Sequence, residues 1–306
     1  MHAARSWHRR NSFHHASFPV GWLAAQRAET VSICLPARDE AATIGPIVDA
    51  LVPLLEAGVA DQLVVVDDSG DGTGAIAAAR GAEVHRQCDL RPELGPVLGK
   101  GDAMWRALGV LSGDIVCFLD ADSRAFGAHF ASGLLGPLVA REELRFVKAF
   151  YRRPFRQGGV TLDEGGGRVT ELTARPLLNC FYPELAGFHQ PLAGEIAARR
   201  ELLERLPFLT GYAVDVALLI DAWREAGLDA LAQVDLDVRH NDHQPLRELG
   251  PMASAVLRAV TSRLEREGRL APAGGDGYLA PVAGGLESRA VDLVERPPLV
   301  GLRAAA

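Results

Sequence analysis

Two aspartates one residue apart, Asp120 and Asp122, close an apolar run in DIVCFLDADSR (114–124). A buried strand that stops on such a pair offers hard oxygen ligands at one spot. That is the arrangement a divalent cation held on phosphate oxygens requires. Two other apolar runs end in acids. TVSICLPA (30–37) leads into Arg38, Asp39 and Glu40, and DQLVVVDDSG (61–70) carries Asp67, Asp68 and Ser69. A carboxylate at the second of these suits a ribose hydroxyl or a base edge. Aspartates at such places also cap helices and fasten turns. Each signal alone is ambiguous; three successive strand ends of the same kind argue for one crevice.

The elements that would position them alternate. The strand 30–37 is followed by helical spacing over 40–58, a strand at 61–70, helix signals over 71–82 closing on Gly81, and a short strand at 82–87. A glycine-rich loop opens a helix over 99–113, and the strand ending in Asp120 follows. This β-α order predicts a parallel sheet with helices on both faces, whose ligands bind beyond the C-terminal strand edges. Further on, 144–154 reads as a strand leading into basic residues, and three glycines precede a helix in 163–172. Helices are predicted over 193–208, 211–227 and 250–268, and a strand over 231–240.

Composition narrows the class. The 306 residues are 48% hydrophobic with a formal charge of −7, enough for a sizeable core and the wrong sign for a general nucleic-acid binder. Cys34, Cys88, Cys117 and Cys180 form no CxxC pair; a reduced, cytoplasmic protein is the expectation. No apolar stretch reaches the roughly 18–20 residues of a membrane span. The His-rich N-terminus, with His14 and His15, lacks a signal-peptide core and is expected to be a surface arm packing its Trp and Phe residues. The Gly/Pro/Ala-rich tail is expected to be loosely ordered. A dinucleotide-binding dehydrogenase would carry GxGxxG after its first strand. The turn here, PARDEAAT, has no glycine.

VSICLPARDE, VVVDDSGDGT and FLDADS, in this order, resemble a nucleotide-sugar glycosyltransferase of the GT-A fold, with FLDADS at its DxD metal motif. GKGDAMW (99–105), VKAFYRRP (147–154), GGGRVTEL (165–172), ARPLL, QPLAGE (190–195) and GYAVDVALLID (211–221) are similar to glucosyl-3-phosphoglycerate synthases. The resemblance spans about residues 12–268. It implies an α/β GT-A nucleotide-sugar-binding sheet with a C-terminal acceptor-binding elaboration. The division is a 1–29 arm, a 30–154 nucleotide-sugar-binding core, a 155–270 acceptor region and a flexible 271–306 tail. The implied activity is retaining transfer of glucose, usually from UDP-glucose, to the 2-hydroxyl of D-3-phosphoglycerate, with Mg²⁺ or Mn²⁺ as cofactor and a homodimer as assembly.

Carried onto this chain, Pro36, Ala37, Glu40, Asp68 or Ser69, Lys100, Asp120 and Ala121 would bind the donor, and Asp122, Lys100 and Glu195 would serve the chemistry. The metal would fall to Asp122, assisted by Asp120. Gly165, Gly166 and Gly167 let backbone N–H groups approach an anion, with Arg168 as a fork and Thr170 as a hydroxyl donor. The family usually places a metal-binding His before its "xPL" sequence. In VRHNDHQPL (238–246) that slot holds Asn241, His240 is one place early, and His243 fills the acceptor-binding slot; either a loop shift brings His240 to the metal, or Asn241 is a weak oxygen ligand, or metal dependence is altered. DDSGDGT is also one residue short, which leaves the register of Asp67, Asp68 and Ser69 open. UDP or GDP as carrier, and glucose or mannose as sugar, stay open at this point. So do transfer to a different small acid and a non-catalytic sugar-nucleotide-binding role.

Overall fold

The computed structural model describes residues 2–157, 160–162, 165–240, 244–271, 277–282, 285–290 and 294–303. Asn241 and His243 lie outside the described residues. Eight strands form the central sheet: β1 (Ser12–His14), β2 (Val31–Ala37), β3 (Gln62–Asp67), β4 (Glu83–Arg86), β5 (Ile115–Phe118), β6 (Phe146–Arg152), β7 (Ile196–Arg199) and β8 (Leu231–Val238). Their spatial order is β1-β8-β6-β7-β5-β2-β3-β4. Side chains alternate between faces, and both faces are buried. Ile33, Leu35 and Val65 pack with the helices Ile44–Glu56 and His129–Ala140. Cys34, Val64 and Phe118 pack with Lys100–Ala107 and Val214–Ala226 on the other side.

The parallel expectation holds with one exception. β7 runs antiparallel to both β5 and β6. Its residues fall inside 193–208, where a single helix was expected; only Arg200–Arg205 is helical. The Ala- and charge-rich sequence favours a helix by a few tenths of a kcal/mol per residue. Two facing strand edges with unpaired backbone groups outweigh that preference, and the segment is drawn in as a strand.

The chain ends are also more integrated than composition suggests. The N-terminal segment starts with a helix (His2–Asn11), then adds β1 to the sheet edge parallel to β8. Trp7 is fully buried, donates from Nε1 to the Leu231 carbonyl at 2.8 Å, and stacks on Phe188 with centroids 4.3 Å apart. His14 and His15 both turn to Asp237, at 3.3 and 2.6 Å. At the other end, the expected loose tail is docked over residues 294–303. Glu295–Arg296 pairs with Phe208–Leu209, Arg296 Nε meets Asp102 Oδ1 at 2.7 Å, Trp105 Nε1 donates to the Pro297 carbonyl, and Leu299 is buried. Average tail composition hid this short anchoring stretch. β7 and β8, from the stretch assigned to acceptor binding, complete the same sheet as residues 30–154, so one sheet carries both halves of the site.

Trp7→Ala is expected to cost about 3–5 kcal/mol of stability, the usual loss for an excavated aromatic. Urea unfolding followed by circular dichroism measures it; an arm whose Trp7 did not pack would give a change near zero.

Candidate active site

A cavity of about 470 Å³ opens where β2, β3 and β5 end. Pro36, Ala37, Glu40 and Asp68 form one wall, Lys100, Asp120, Ala121 and Asp122 the floor, and Gly167, Arg168 and Thr170 the opposite side. Asp68 donates its backbone N–H to the Ala37 carbonyl, which turns its side chain into the cavity mouth. Asp67 stays in the strand and accepts from the Ser69 N–H. Ser69 does not line the cavity; its hydroxyl accepts from the Asp39 N–H at 2.8 Å, holding Asp39 at φ 57°. Of Asp67, Asp68 and Ser69, Asp68 alone lines the cavity. Thr43 ties the β2 and β5 ends together, donating to the Ala121 carbonyl at 2.7 Å.

The floor is a compact charge array. Lys100 Nζ lies 2.7 Å from Asp120 Oδ1 and 3.4 Å from Asp215 Oδ1. Arg239 Nη2 lies 3.0 Å from Asp120 Oδ2 and 2.5 Å from Asp122 Oδ1. Its Nη1 lies 2.8 Å from Glu195 Oε1 and donates to the Tyr151 hydroxyl. Burial alone would pull the Lys100 ammonium down, but Asp120 and then Asp215 hold it well above the usual lysine range. Burial likewise would raise Asp120, yet Lys100 and Arg239 keep its carboxyl well below the ordinary range. Burial does raise Glu195 and Asp215. Behind the floor, burial lowers Lys148 to about 8; its ammonium donates to the Ala193 and Asp215 carbonyls.

This packing depends on Gly194. A Cβ there would overlap Lys100 Nζ and the Asp120 carboxylate. QPLAGE thus brings backbone, not a side chain, against the ion pair. Gly165 and Gly167 have φ of 125° and 75°, a left-handed turn that favours glycine and presents the following helical segment to the cavity. Arg153 also lines this side, and its Nε is buried without a hydrogen-bond partner among the described residues. Such a guanidinium is arranged for an anion.

The lip suits a hard divalent ion. Asp120 and Asp122 converge closely enough to share one guanidinium nitrogen, and Asp122 remains 45% exposed, with carboxylate open to the cavity. His240 is an exposed residue outside the cavity lining, and its carbonyl accepts from the Arg124 N–H. Side chains alternate in extended backbone, and with Arg239 pointing inward, His240 points out.

A family model for glycosyl transferase family 2 matches residues 32–135. The glucosyl-3-phosphoglycerate synthase of Mycobacterium tuberculosis is 43% identical over 304 residues, covering 95% of this chain and 92% of its own. That of Petrotoga mobilis is 42% identical over 268 residues, covering 85% and 82%. The chain belongs to the glucosyl-3-phosphoglycerate synthase family. The crystal structure of the M. tuberculosis enzyme in complex with Mn²⁺, UDP and phosphoglyceric acid superposes with a TM-score of 0.86 at 41% identity, covering 96% and 99% of the two chains. The crystal structure of mannosyl-3-phosphoglycerate synthase from Rubrobacter xylanophilus gives 0.91 at 48% identity, covering 98% of each. The fold is therefore the GT-A glycosyltransferase fold of this family.

Within the family fold, the cavity unites Pro36, Ala37, Glu40, Asp68, Lys100, Asp120, Ala121, Asp122, Gly167, Arg168 and Thr170. Glu195, expected to face the sugar, is fully buried behind Arg239 and accepts from the Tyr151 hydroxyl at 2.9 Å. Beside Lys100 in the cavity, Asp120 is joined by Asp215, in the first turn of the helix Val214–Ala226. Among the lining residues given no role from sequence are the charged Asp215, Arg239 and Arg153. Arg153 was signalled by the basic run after β6. Arg239 and Asp215 could be singled out only by burial.

Two substitutions test the array. Gly194→Ala is expected to lower kcat by about 10²-fold or more by displacing Lys100 and Asp120. Arg239→Lys, which cannot bridge Asp120, Asp122 and Glu195 together, is expected to cost about 10²-fold with the fold retained by circular dichroism. Near-native turnover in both would remove the floor from the chemistry.

Proposed function

We propose that this chain moves glucose from UDP-glucose to the 2-hydroxyl of 3-phosphoglycerate with retention of anomeric configuration. The observation carrying this is the single cavity that sets the Asp120–Lys100–Arg239 floor opposite the Gly167–Thr170 turn and Arg153. Pro36, Ala37, Glu40 and Asp68 would hold the nucleoside. Asp122, assisted by Asp120, would hold Mg²⁺ or Mn²⁺, and the ion neutralises the diphosphate when bound. Lys100 and Arg239 then add fixed positive charge where the leaving diphosphate gains negative charge. Arg168, Thr170 and Arg153 would grip the phosphate and carboxylate of the acceptor. The acceptor hydroxyl attacks from the face the diphosphate leaves, and a leaving phosphate oxygen takes its proton. Asp215, paired to Lys100, is placed to orient sugar hydroxyls.

The 48% identity to a mannosyl-3-phosphoglycerate synthase favours a second donor, GDP-mannose, with the same acceptor. Among the described residues no helix is long and apolar enough to cross a membrane. We assign the enzyme to the cytoplasm, and as a homodimer, testable by light scattering.

Purified protein with Mg²⁺, UDP-glucose and 3-phosphoglycerate is expected to release UDP and form glucosyl-3-phosphoglycerate, with GDP-mannose in a parallel reaction ranking the donors. Asp122→Ala is expected to reduce turnover by about 10²–10³-fold. The reading is lost if 3-phosphoglycerate yields no transfer while another small acid does, or if no donor is turned over at all.

A further inference from the structure

A second cavity of about 510 Å³ lies between the N-terminal helix and the segment 175–189, outside the transfer site. Arg5, His8, Arg9, Arg175, Asn179 and His189 supply its polar lining, and among the described residues no carboxylate lines it. In a chain of net charge −7, this concentration of cationic groups runs against the average. Arg5 and Arg9 are exposed and make no ion pair or hydrogen bond among the described residues. Arg175 is held bidentate by Glu171 and donates to the His189 carbonyl, so its place in the wall is fixed.

The walls are built, not incidental. Trp7 anchors the N-terminal helix against Phe188, and a Cβ at Gly187 would press on the Trp7 ring at 3.0 Å. His189 stacks on Phe150 at 4.5 Å and donates its backbone N–H to Gln233. His8 Nε2 and His189 Nε2 face each other at 2.8 Å. Burial lowers His189, and the neighbouring His8 and Arg175 lower it further. The pocket therefore gathers two unpaired guanidiniums, Arg5 and Arg9, beside a third that Glu171 already neutralises, and a bound anion would supply the two with the partner they lack.

We propose that this pocket binds a small, multiply charged phosphate-bearing anion separately from the transfer site. Guanidinium forks from Arg5 and Arg9 suit phosphate oxygens, and the His8–His189 hydrogen bond fixes the wall between them and Arg175. The acceptor shares that chemistry with free inorganic phosphate, and either can be the source.

Isothermal titration with 3-phosphoglycerate, repeated with inorganic phosphate, separates the sources. The R5E/R9E double variant touches only exposed, unpaired arginines and is expected to keep basal transfer. Wild type is expected to show two sites per chain for one or both probes. R5E/R9E is expected to lose one of them or weaken it at least ten-fold, and R168A the other. If only phosphate fills the second site, the ligand is free phosphate; if 3-phosphoglycerate does, it is the acceptor. A single site in wild type, or a second site unaffected by R5E/R9E, overturns the proposal. Failure of R168A to change acceptor binding would instead count against the assignment of the transfer site.

Discussion

The buried guanidinium of Arg239 is the contact on which the site depends. It sits between Asp120, Asp122 and Glu195, donates to Tyr151 and Ser123, and is almost wholly withdrawn from water. An unpaired charge at that depth would be prohibitive. Paired, it fixes the directions of two lip carboxylates that would otherwise repel each other. Lys100 performs the same service from the other side, bridging Asp120 to Asp215. The lip acids are therefore preorganised before any ligand arrives, which is what electrostatic catalysis of diphosphate departure requires.

The sheet exists in a form that makes this array possible. β5 delivers Asp120 and Asp122, β8 delivers Arg239, and the antiparallel β7 brings Gly194 and Glu195 between them. A wholly parallel sheet would have sent the start of β7 to the opposite edge. Reversal of that one strand lets the backbone at Gly194 lie flat against the Lys100–Asp120 pair, with Glu195 tucked behind Arg239. The paired acids do make salt bridges, yet a cavity still joins them to the glycine turn. Ion pairing and ligand binding are compatible here because Asp122 keeps part of its carboxylate at the lip.

Much of this was legible in the sequence where the signal was local. The apolar runs ending in acids gave β2, β3 and β5 and the cavity wall at their ends, because strand period and burial write themselves into consecutive residues. The glycine run before Arg168 and Thr170 gave the turn that lines the cavity's other side, for the same reason. Where the signal was non-local, reading failed. The segment 193–208 has helical composition and becomes a strand because of neighbours distant in sequence. Glu195 was placed in the wrong direction, and the tail around Arg296 was taken as loose because its partner, Asp102, lies far back in the chain.

By itself, then, the order of residues determined the sheet's period, the strand-end carboxylates and the glycine turn before Arg168, since each is a property of a few adjacent side chains. Only the tertiary structure decided that Arg239 and Asp215 join the site, that His240 turns outward, and that the N-terminal helix walls a second cationic cavity. Those outcomes rest on which groups are desolvated together, and burial is a property of the whole packed chain.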